Sequence, residues 1–405
     1  MTATGDAIGL DIELLRHETP GCLRVNHLNN AGCALPPSKV TDTVVDHLHL
    51  EAMIGGYEAH ADVLDRLDRV YESVAQLLGA RPDQIALLES ATAAWDRAFT
   101  AIHHTRPFTA GDRILVSSSE YASNVLPIMQ LVKICGVRLE FIPDDEHGCV
   151  DVEAFAKLLD ADVAAVAINQ CPSQNGLIND VAAIGATLRA NKSDAWYLVD
   201  ACQSIGQLPV SAGVIGADFI SATGRKFLRG PRGTGFLCAS DRALLELEPF
   251  PLDLHSATWR ETGFEAATGA RKFEFWEKSY AGILGLGAAI DYALACGIDA
   301  ISARIGLLAQ QARAGLSTVP EVTVQDRGLQ LSGIVTFTHD RAGAGQLVAQ
   351  IRHAGINVSL STPEYARVDF DSHGIEALVR VSPHAYNTAA EIDQLLEVVA
   401  QASVH

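Results

Sequence analysis

A chain of 405 residues is too long for one compact core and implies a large domain joined to a smaller one. The 48% hydrophobic and 6% aromatic content is that of an ordinary globular protein. A formal net charge of −19 argues against nucleic acid as a partner, since phosphate backbones select basic surfaces; here acidity reads as solubility.

The first residues, Met1 to Glu18, mix Asp6, Asp11, Glu13 and Arg16 with apolar side chains and lack an apolar signal core. No run is long enough to cross a bilayer, so no membrane partner is expected. From about residue 85 to about residue 240, short apolar runs alternate with amphipathic stretches. Strands are predicted at 85–88, 113–116, 138–142, 163–168, 196–199, 219–222 and 234–238. The intervening stretches 124–134, 151–159 and 181–190 have helical period and length. Short apolar strands separated by helices imply a mainly parallel seven-stranded sheet covered on both faces. After Lys278 the pattern changes: helices are predicted at 281–296 and 301–316, strands at 333–337 and 377–381, and a last helix at 389–400. That order suits a small α+β domain. The polar segment 359–371, interrupted by Pro363, is the expected mobile loop.

The eight cysteines contain no Cys-x-x-Cys pair, and several sit in apolar runs as small hydrophobes. The 14 histidines show no His-Glu-x-x-His spacing. The expectation is a reduced, cytoplasmic protein with no metal.

Chemistry enters at two strand ends. The run 196–199 leads into Asp200-Ala201-Cys202-Gln203-Ser204, and the run 219–222 leads through Thr223-Gly224-Arg225 to Lys226. Ligands on parallel sheets bind at strand carboxyl ends. Taken singly, Asp200 reads as a helix cap and Lys226 as a solvated loop lysine. Together they suit pyridoxal 5'-phosphate (PLP), whose ring nitrogen needs a carboxylate partner and whose aldehyde forms a Schiff base with a lysine.

The ordered set Asn29-Asn30-Ala31-Gly32, Ser90-Ala91-Thr92, Glu120-Tyr121, Asp200-Ala201-Cys202-Gln203-Ser204, Thr223-Gly224-Arg225-Lys226 and Arg380-Val381-Ser382-Pro383-His384-Ala385-Tyr386-Asn387 resembles the class V aminotransferase family. The resemblance implies a PLP-dependent fold type I enzyme and a homodimer. It implies an N-terminal arm (1–25) joining the small domain, a large PLP-binding domain (26–283) and a small C-terminal domain (284–405). Asp200 should pair with the pyridine nitrogen and Gln203 with the ring hydroxyl. Ala91 and Thr92 should bind phosphate at a helix N-terminus, with Thr223 and Arg225 completing that site. Tyr121 takes the place of a ring-stacking histidine. Ser173, in Pro172-Ser173-Gln174-Asn175-Gly176, takes the place of an asparagine that touches the ring hydroxyl. Lys226 should carry the aldehyde and move protons, and Arg380 should bind the substrate α-carboxylate through its planar fork. Asn30 is expected to share that carboxylate, and its Asn-Asn-Ala-Gly segment reads equally as a plain turn.

One departure bears on the reaction. Cysteine desulfurases hold a nucleophilic cysteine on a mobile loop before that arginine, and here no cysteine lies between Asn357 and Leu378. Within the family, Gly55-Gly56-Tyr57-Glu58, Ser90 to Asp96 and Gly224 to Gly235 look most like hercynylcysteine sulfoxide lyases and the enzymes that process S-cysteine conjugates in natural-product (lincosamide-type) pathways. The resemblance implies a carbon–sulfur lyase performing β-elimination on a small amino-acid substrate, an S-conjugated cysteine. Decarboxylation-coupled oxidative deamination, transamination or epimerisation, and a catalytically silent module are the alternatives. Tyr57, Trp259 and Trp276 are candidates to contact the appended group.

Overall fold

Seven strands form one sheet: Ile85–Leu88 (β1), Arg113–Ser117 (β2), Arg138–Ile142 (β3), Val163–Asn169 (β4), Trp196–Asp200 (β5), Phe219–Thr223 (β6) and Gly235–Ala239 (β7). The structure is a computed structural model that describes residues 9–402. The spatial order is β1-β7-β6-β5-β4-β2-β3, and β7 alone runs against its neighbours. All seven expected strands are present, with ends shifted by a residue at most. Their continuous apolar character has a direct cause. Successive side chains point to opposite faces, and both faces are buried except along the edge strand β3, where Arg138 and Phe141 are exposed. Trp196 and Leu198 enter one core, while Tyr197 and Val199 enter the other.

The sheet carries helices Ser38–Ile54 (α1), Leu64–Leu78 (α2), Ala91–Thr105 (α3), Ala122–Cys135 (α4), Val181–Ala190 (α5) and Tyr280–Cys296 (α6). Several begin at a side-chain cap that accepts from a free first-turn N–H: Ser90 from Ala93, Asp180 from Ala183, Ser279 from Gly282. The small residues of α6 let it lie close to α1 and α2. A Cβ on Gly285 would come 2.5 Å from Val44 Cγ2, and one on Gly287 2.7 Å from Val70 Cγ2.

Helix Ile298–Leu316 (α7) runs from one core into another: Ile301 and Ile305 pack in the large core, Leu308, Ala312 and Leu316 in a second. The second core lies under an antiparallel sheet of Val322–Val324 (β8), Val335–His339 (β9), Ser359–Ser361 (β10) and Leu378–Val381 (β11), ordered β8-β9-β11-β10. Helices Ala344–His353 (α8) and Ala389–Ala400 (α9) close it. Strands β8 and β10 were not expected; three residues each are too few for a visible alternation. Near the N-terminus, Leu15 and Cys22 pack in the large core while Arg16 Nη1 reaches Glu391 Oε1 at 2.9 Å.

The segment 359–371 is more ordered in form than its polar sequence suggests. It supplies β10, the turn Pro363–Tyr365 and the short helix Arg367–Ser372, with Ala366, Asp369 and Phe370 buried.

The reversed strand β7 lies behind the start of α3. A Cβ at Gly235 would come 2.6 Å from Ser90 C, 2.7 Å from Ala222 O and 2.9 Å from Ala91 N, all backbone atoms. Gly235→Ala should therefore destabilise the fold by roughly 1–3 kcal/mol. The measurement is the urea midpoint at unchanged m-value; an unmoved midpoint would show that the strand and helix have room to separate.

Candidate active site

A cavity of about 250 Å³ opens at the carboxyl ends of β5 and β6, facing the N-terminus of α3. It brings together residues far apart in sequence. Ala91 and Thr92 come from the first turn of α3, Tyr121 from the residue before α4, and Ser173 from the turn after β4. Asp200 and Gln203 come from the end of β5 and its following turn, and Thr223, Arg225 and Lys226 from the end of β6 and beyond. These are the nine positions assigned to the cofactor from sequence, and all line one cavity. Cys202, Asn124, Asn169 and Arg232 line it too, although the sequence reading gave them no role.

The cavity fits a phosphorylated pyridine aldehyde on its own chemistry. At one end, Ser90 caps α3 through Ala93 N at 3.1 Å. The preceding N–H groups of Ala91 and Thr92 have no intrahelical acceptor and suit an anion, and Arg225 lines the same cavity. Elsewhere, the Oε1 of Gln203 is buried with no partner, while its Nε2 donates to Ala31 O at 3.1 Å. A free buried amide oxygen is suited to accepting from a ring hydroxyl.

Asp200 is held on both sides. Its Oδ1 accepts from Cys202 N at 2.8 Å, and its Oδ2 from Asn124 Nδ2 at 2.9 Å. The same Asn124 amide donates to Glu120 Oε1 at 2.8 Å, and Glu120 Oε2 accepts from Ser117 Oγ at 2.9 Å. Burial, with the nearby charge of Asp200, pushes the Glu120 carboxyl up to about 8, outweighing those hydrogen bonds. Glu120 is therefore protonated at neutral pH and adds no second charge beside Asp200. In the sequence Glu120 stands out only as the neighbour of Tyr121. Burial likewise raises the Tyr121 phenol above its ordinary range, so it is a ring to stack against, not a proton carrier near pH 7.

Arg380 lies on β11, paired with Thr336 on one side and Ser359 on the other. Its guanidinium makes two long contacts, Nη1 to Ser173 O and Nη2 to Asn29 Oδ1, each 3.3 Å, and its Nε has no partner. It is buried, and burial pushes its pKa down to about 10. Among the described residues, no carboxylate pairs with it. A buried cation without a counter-ion is costly, and an incoming carboxylate removes that cost.

Four expected substrate contacts are placed differently. Asn30 is fully buried, its Nδ2 donates to His27 O at 3.2 Å and Ser382 O at 2.8 Å, and its Oδ1 accepts from Tyr386. With its amide used up in holding two chain segments together, Asn30 has nothing left for a substrate, and it is Asn29 that faces Arg380. Tyr57 is 80% exposed and lies in a separate groove with Trp276, Lys278 and Tyr280. Trp259, 86% exposed on the hairpin 257–266, is also outside the cavity. None of the three expected aromatic contacts lines the cavity.

The segment 382–387 does more than follow Arg380. Ser382 Oγ accepts from Ala31 N at 2.9 Å, and the His384 ring bonds Phe227 O at 2.9 Å, next to Lys226. Because His384 Nδ1 accepts from Ala385 N at 2.8 Å, Nε2 carries the proton and donates. Burial pushes this histidine down to about 3, so it stays neutral.

Raised above its unfolded value, the Glu120 pKa makes a contribution to stability that is complete below about pH 4.5 and lost as pH rises to about 8. Glu120→Gln removes that titration. The stability of wild type relative to the variant should fall by about 1.4 kcal/mol per pH unit across this window. Denaturant melts from pH 5 to 8 check this, and a pH-independent difference would mean that Glu120 is already ionised.

Comparison with known proteins places this geometry. The family model described as aminotransferase class-V matches residues 26–395. A cysteine desulfurase of Enterobacter sp. strain 638 is 27% identical over 397 residues, covering 96% of each chain. A probable cysteine desulfurase of Methanothermobacter thermautotrophicus is 29% identical over 352 residues, covering 86% of each. Among solved structures, the cysteine desulfurase of Thermococcus onnurineus superposes with a TM-score of 0.88 at 24% identity, covering 96% of this chain and 97% of that one.

Proposed function

We propose, from the premise that this chain belongs to the class-V aminotransferase family, that it is a PLP-dependent carbon–sulfur lyase performing β-elimination on an S-substituted cysteine. The products are a thiol, pyruvate and ammonia. The observation that carries the elimination reading is that, among the described residues, a single thiol lines the cavity. That thiol is Cys202, and burial raises its pKa, outweighing the nearby Lys226 that lowers it. A protonated thiol is a poor sulfur acceptor, and the segment between Asn357 and Leu378 supplies no cysteine in its place.

When bound, PLP supplies an electron sink for the bonds at Cα and Cβ. Around it, Lys226 would hold the aldehyde until the substrate amine displaces it, its freed Nζ would take the Cα proton, and Asp200 would hold the proton on the ring nitrogen. The α-carboxylate enters the open fork of Arg380, fixing which Cα bond faces Lys226. The Cα–H and Cβ–S bonds break, the Cα–Cβ double bond forms, and sulfur leaves with its substituent as a thiolate that takes up a proton. The released enamine then adds water and gives pyruvate and ammonia. The S-substituent is proposed to be bulky, as in natural-product conjugates, on the resemblance of the segments 55–58, 90–96 and 224–235 to S-conjugate enzymes. A homodimeric assembly and a cytoplasmic location complete the proposal.

Incubating the PLP-loaded enzyme with S-substituted cysteines and, separately, with free cysteine tests this reading. Pyruvate and thiol in equal amounts from the conjugates are expected, also with Cys202→Ser. Persulfide trapped on Cys202 at catalytic rates would restore the desulfurase reading, and carbon dioxide without pyruvate would select the decarboxylating one.

Arg380→Lys keeps the charge but loses the planar fork. We expect kcat/KM for S-conjugates to fall about 10- to 100-fold, an effect of roughly 1–3 kcal/mol. If conjugates lacking the carboxylate were processed as well as intact ones, Arg380 would not be the seat.

A further inference from the structure

Tyr365 ends the turn Pro363–Tyr365, between β10 and the short helix Arg367–Ser372. Its ring lies parallel to that of Tyr121, with centroids 6.3 Å apart and 8° between the planes. Tyr121 lines the cavity, whereas Tyr365 is 45% exposed, so the pair reaches from the cavity towards solvent. The segment that carries Tyr365 begins at Ser359, which pairs with Arg380, and Tyr121 lines the same cavity as Ser173, whose carbonyl accepts from Arg380 Nη1. The two rings therefore stand beside the seat proposed for the substrate carboxylate.

This placement is built into the fold. On one side, Ser359 pairs with Arg380 itself. Tyr365 N donates to Thr362 O and Ala366 N to Pro363 O, each at 3.2 Å, closing the turn. On the other side, buried Asp369 accepts from Gln174 Nε2 and Asn175 Nδ2, each at 3.1 Å, and from Arg327. Gln174 and Asn175 directly follow Ser173, whose carbonyl receives Arg380. The arc carrying Tyr365 is thus tied at both ends to the groups around Arg380, and Tyr365 presents an aromatic face at its crown. Such a face on a half-exposed site is idle for packing and suited to a guest.

We propose that Tyr365, backed by Tyr121, is a specificity-determining residue that selects S-conjugates whose sulfur carries a flat aromatic or heteroaromatic ring. The inference rests on the S-conjugate lyase reading and deepens it. With the carboxylate held by Arg380 and the amino group at the cofactor, the arm bearing sulfur is the part of the substrate free to meet these rings. An aromatic substituent gains stacking that a saturated one of the same size does not.

The test compares S-phenyl-cysteine with S-cyclohexyl-cysteine, which match in size and differ in π character. Binding is read from the change in visible absorption of the PLP-loaded enzyme, and turnover from pyruvate. Wild type should favour the phenyl compound in Kd by about two- to tenfold, a ratio on which the better leaving ability of thiophenolate does not act. Tyr365→Leu should bring that ratio to about one, and Tyr365→Phe, which keeps the ring, should preserve it. Equal binding of the two compounds by wild type, or an unchanged ratio in Tyr365→Leu, would overturn the proposal. A clear preference in binding without pyruvate from either compound would leave the role of Tyr365 standing and remove the lyase reading. Pyruvate from both without preference would do the reverse.

Discussion

The parallel pairing of β5 with β6 sets Asp200 opposite Ser221 at the carboxyl edge of the sheet. From that pairing, Asp200 closes one strand and the chain leaving the other reaches Lys226 three residues after Thr223. A ring held at its nitrogen by a carboxylate and at its aldehyde by a lysine needs both groups on a rigid edge, because a misplacement of an ångström is costly in rate. Buried strands supply that rigidity. Every residue of β5 and β6 is buried, and their side chains alternate into two packed cores. The antiparallel β7 completes the edge by backing α3, whose first turn offers the anion seat.

Buried charge is handled in three different ways. Glu274 is wholly buried, and burial alone would raise its pKa, yet hydrogen bonds from His255, Lys278 and Leu87 N hold it below the ordinary range. With Tyr71 also donating at 2.9 Å, it is a satisfied structural node joining α2, β1 and the segment before α6. Glu120 has weaker partners and a like charge nearby, so burial wins and it stays protonated. Arg380 is buried with two long contacts and one unpaired nitrogen. A satisfied charge needs no ligand, whereas an unsatisfied one behind the Ser173 wall of the cavity marks where a ligand's opposite charge belongs.

The segment 382–387 couples the two cores. Through Ser382 it holds the Asn29–Ala31 stretch, through His384 the carbonyl of Phe227, and through Tyr386 the side chain of Asn30. Arg380 in the small sheet and Lys226 in the large one are thereby kept in fixed relation by neutral hydrogen bonds. That is the reason Asn30 cannot serve the substrate: its amide is a fastener.

What could be read from the sequence was local. Seven short apolar runs and the short motifs around Asp200 and Lys226 each involve neighbours along the chain, so their residue types declare them. The nine positions that line the cavity were legible for that reason, each lying at or just beyond a strand end or at a helix start, where backbone geometry is set within a few residues. The outer wall of the site was not. Asn29 and not Asn30 faces Arg380 because of bonds to Ser382 and Tyr386, more than 350 positions away. Tyr57 and Trp259 look like pocket aromatics, yet the fold leaves them outside the cavity. Tyr365 sits in a segment that reads as a polar loop and reaches Tyr121 only because β10 pairs with β11 and Asp369 finds Arg327. Such contacts depend on how separate elements pack together, and no local pattern of residues encodes which side chain then faces the cavity.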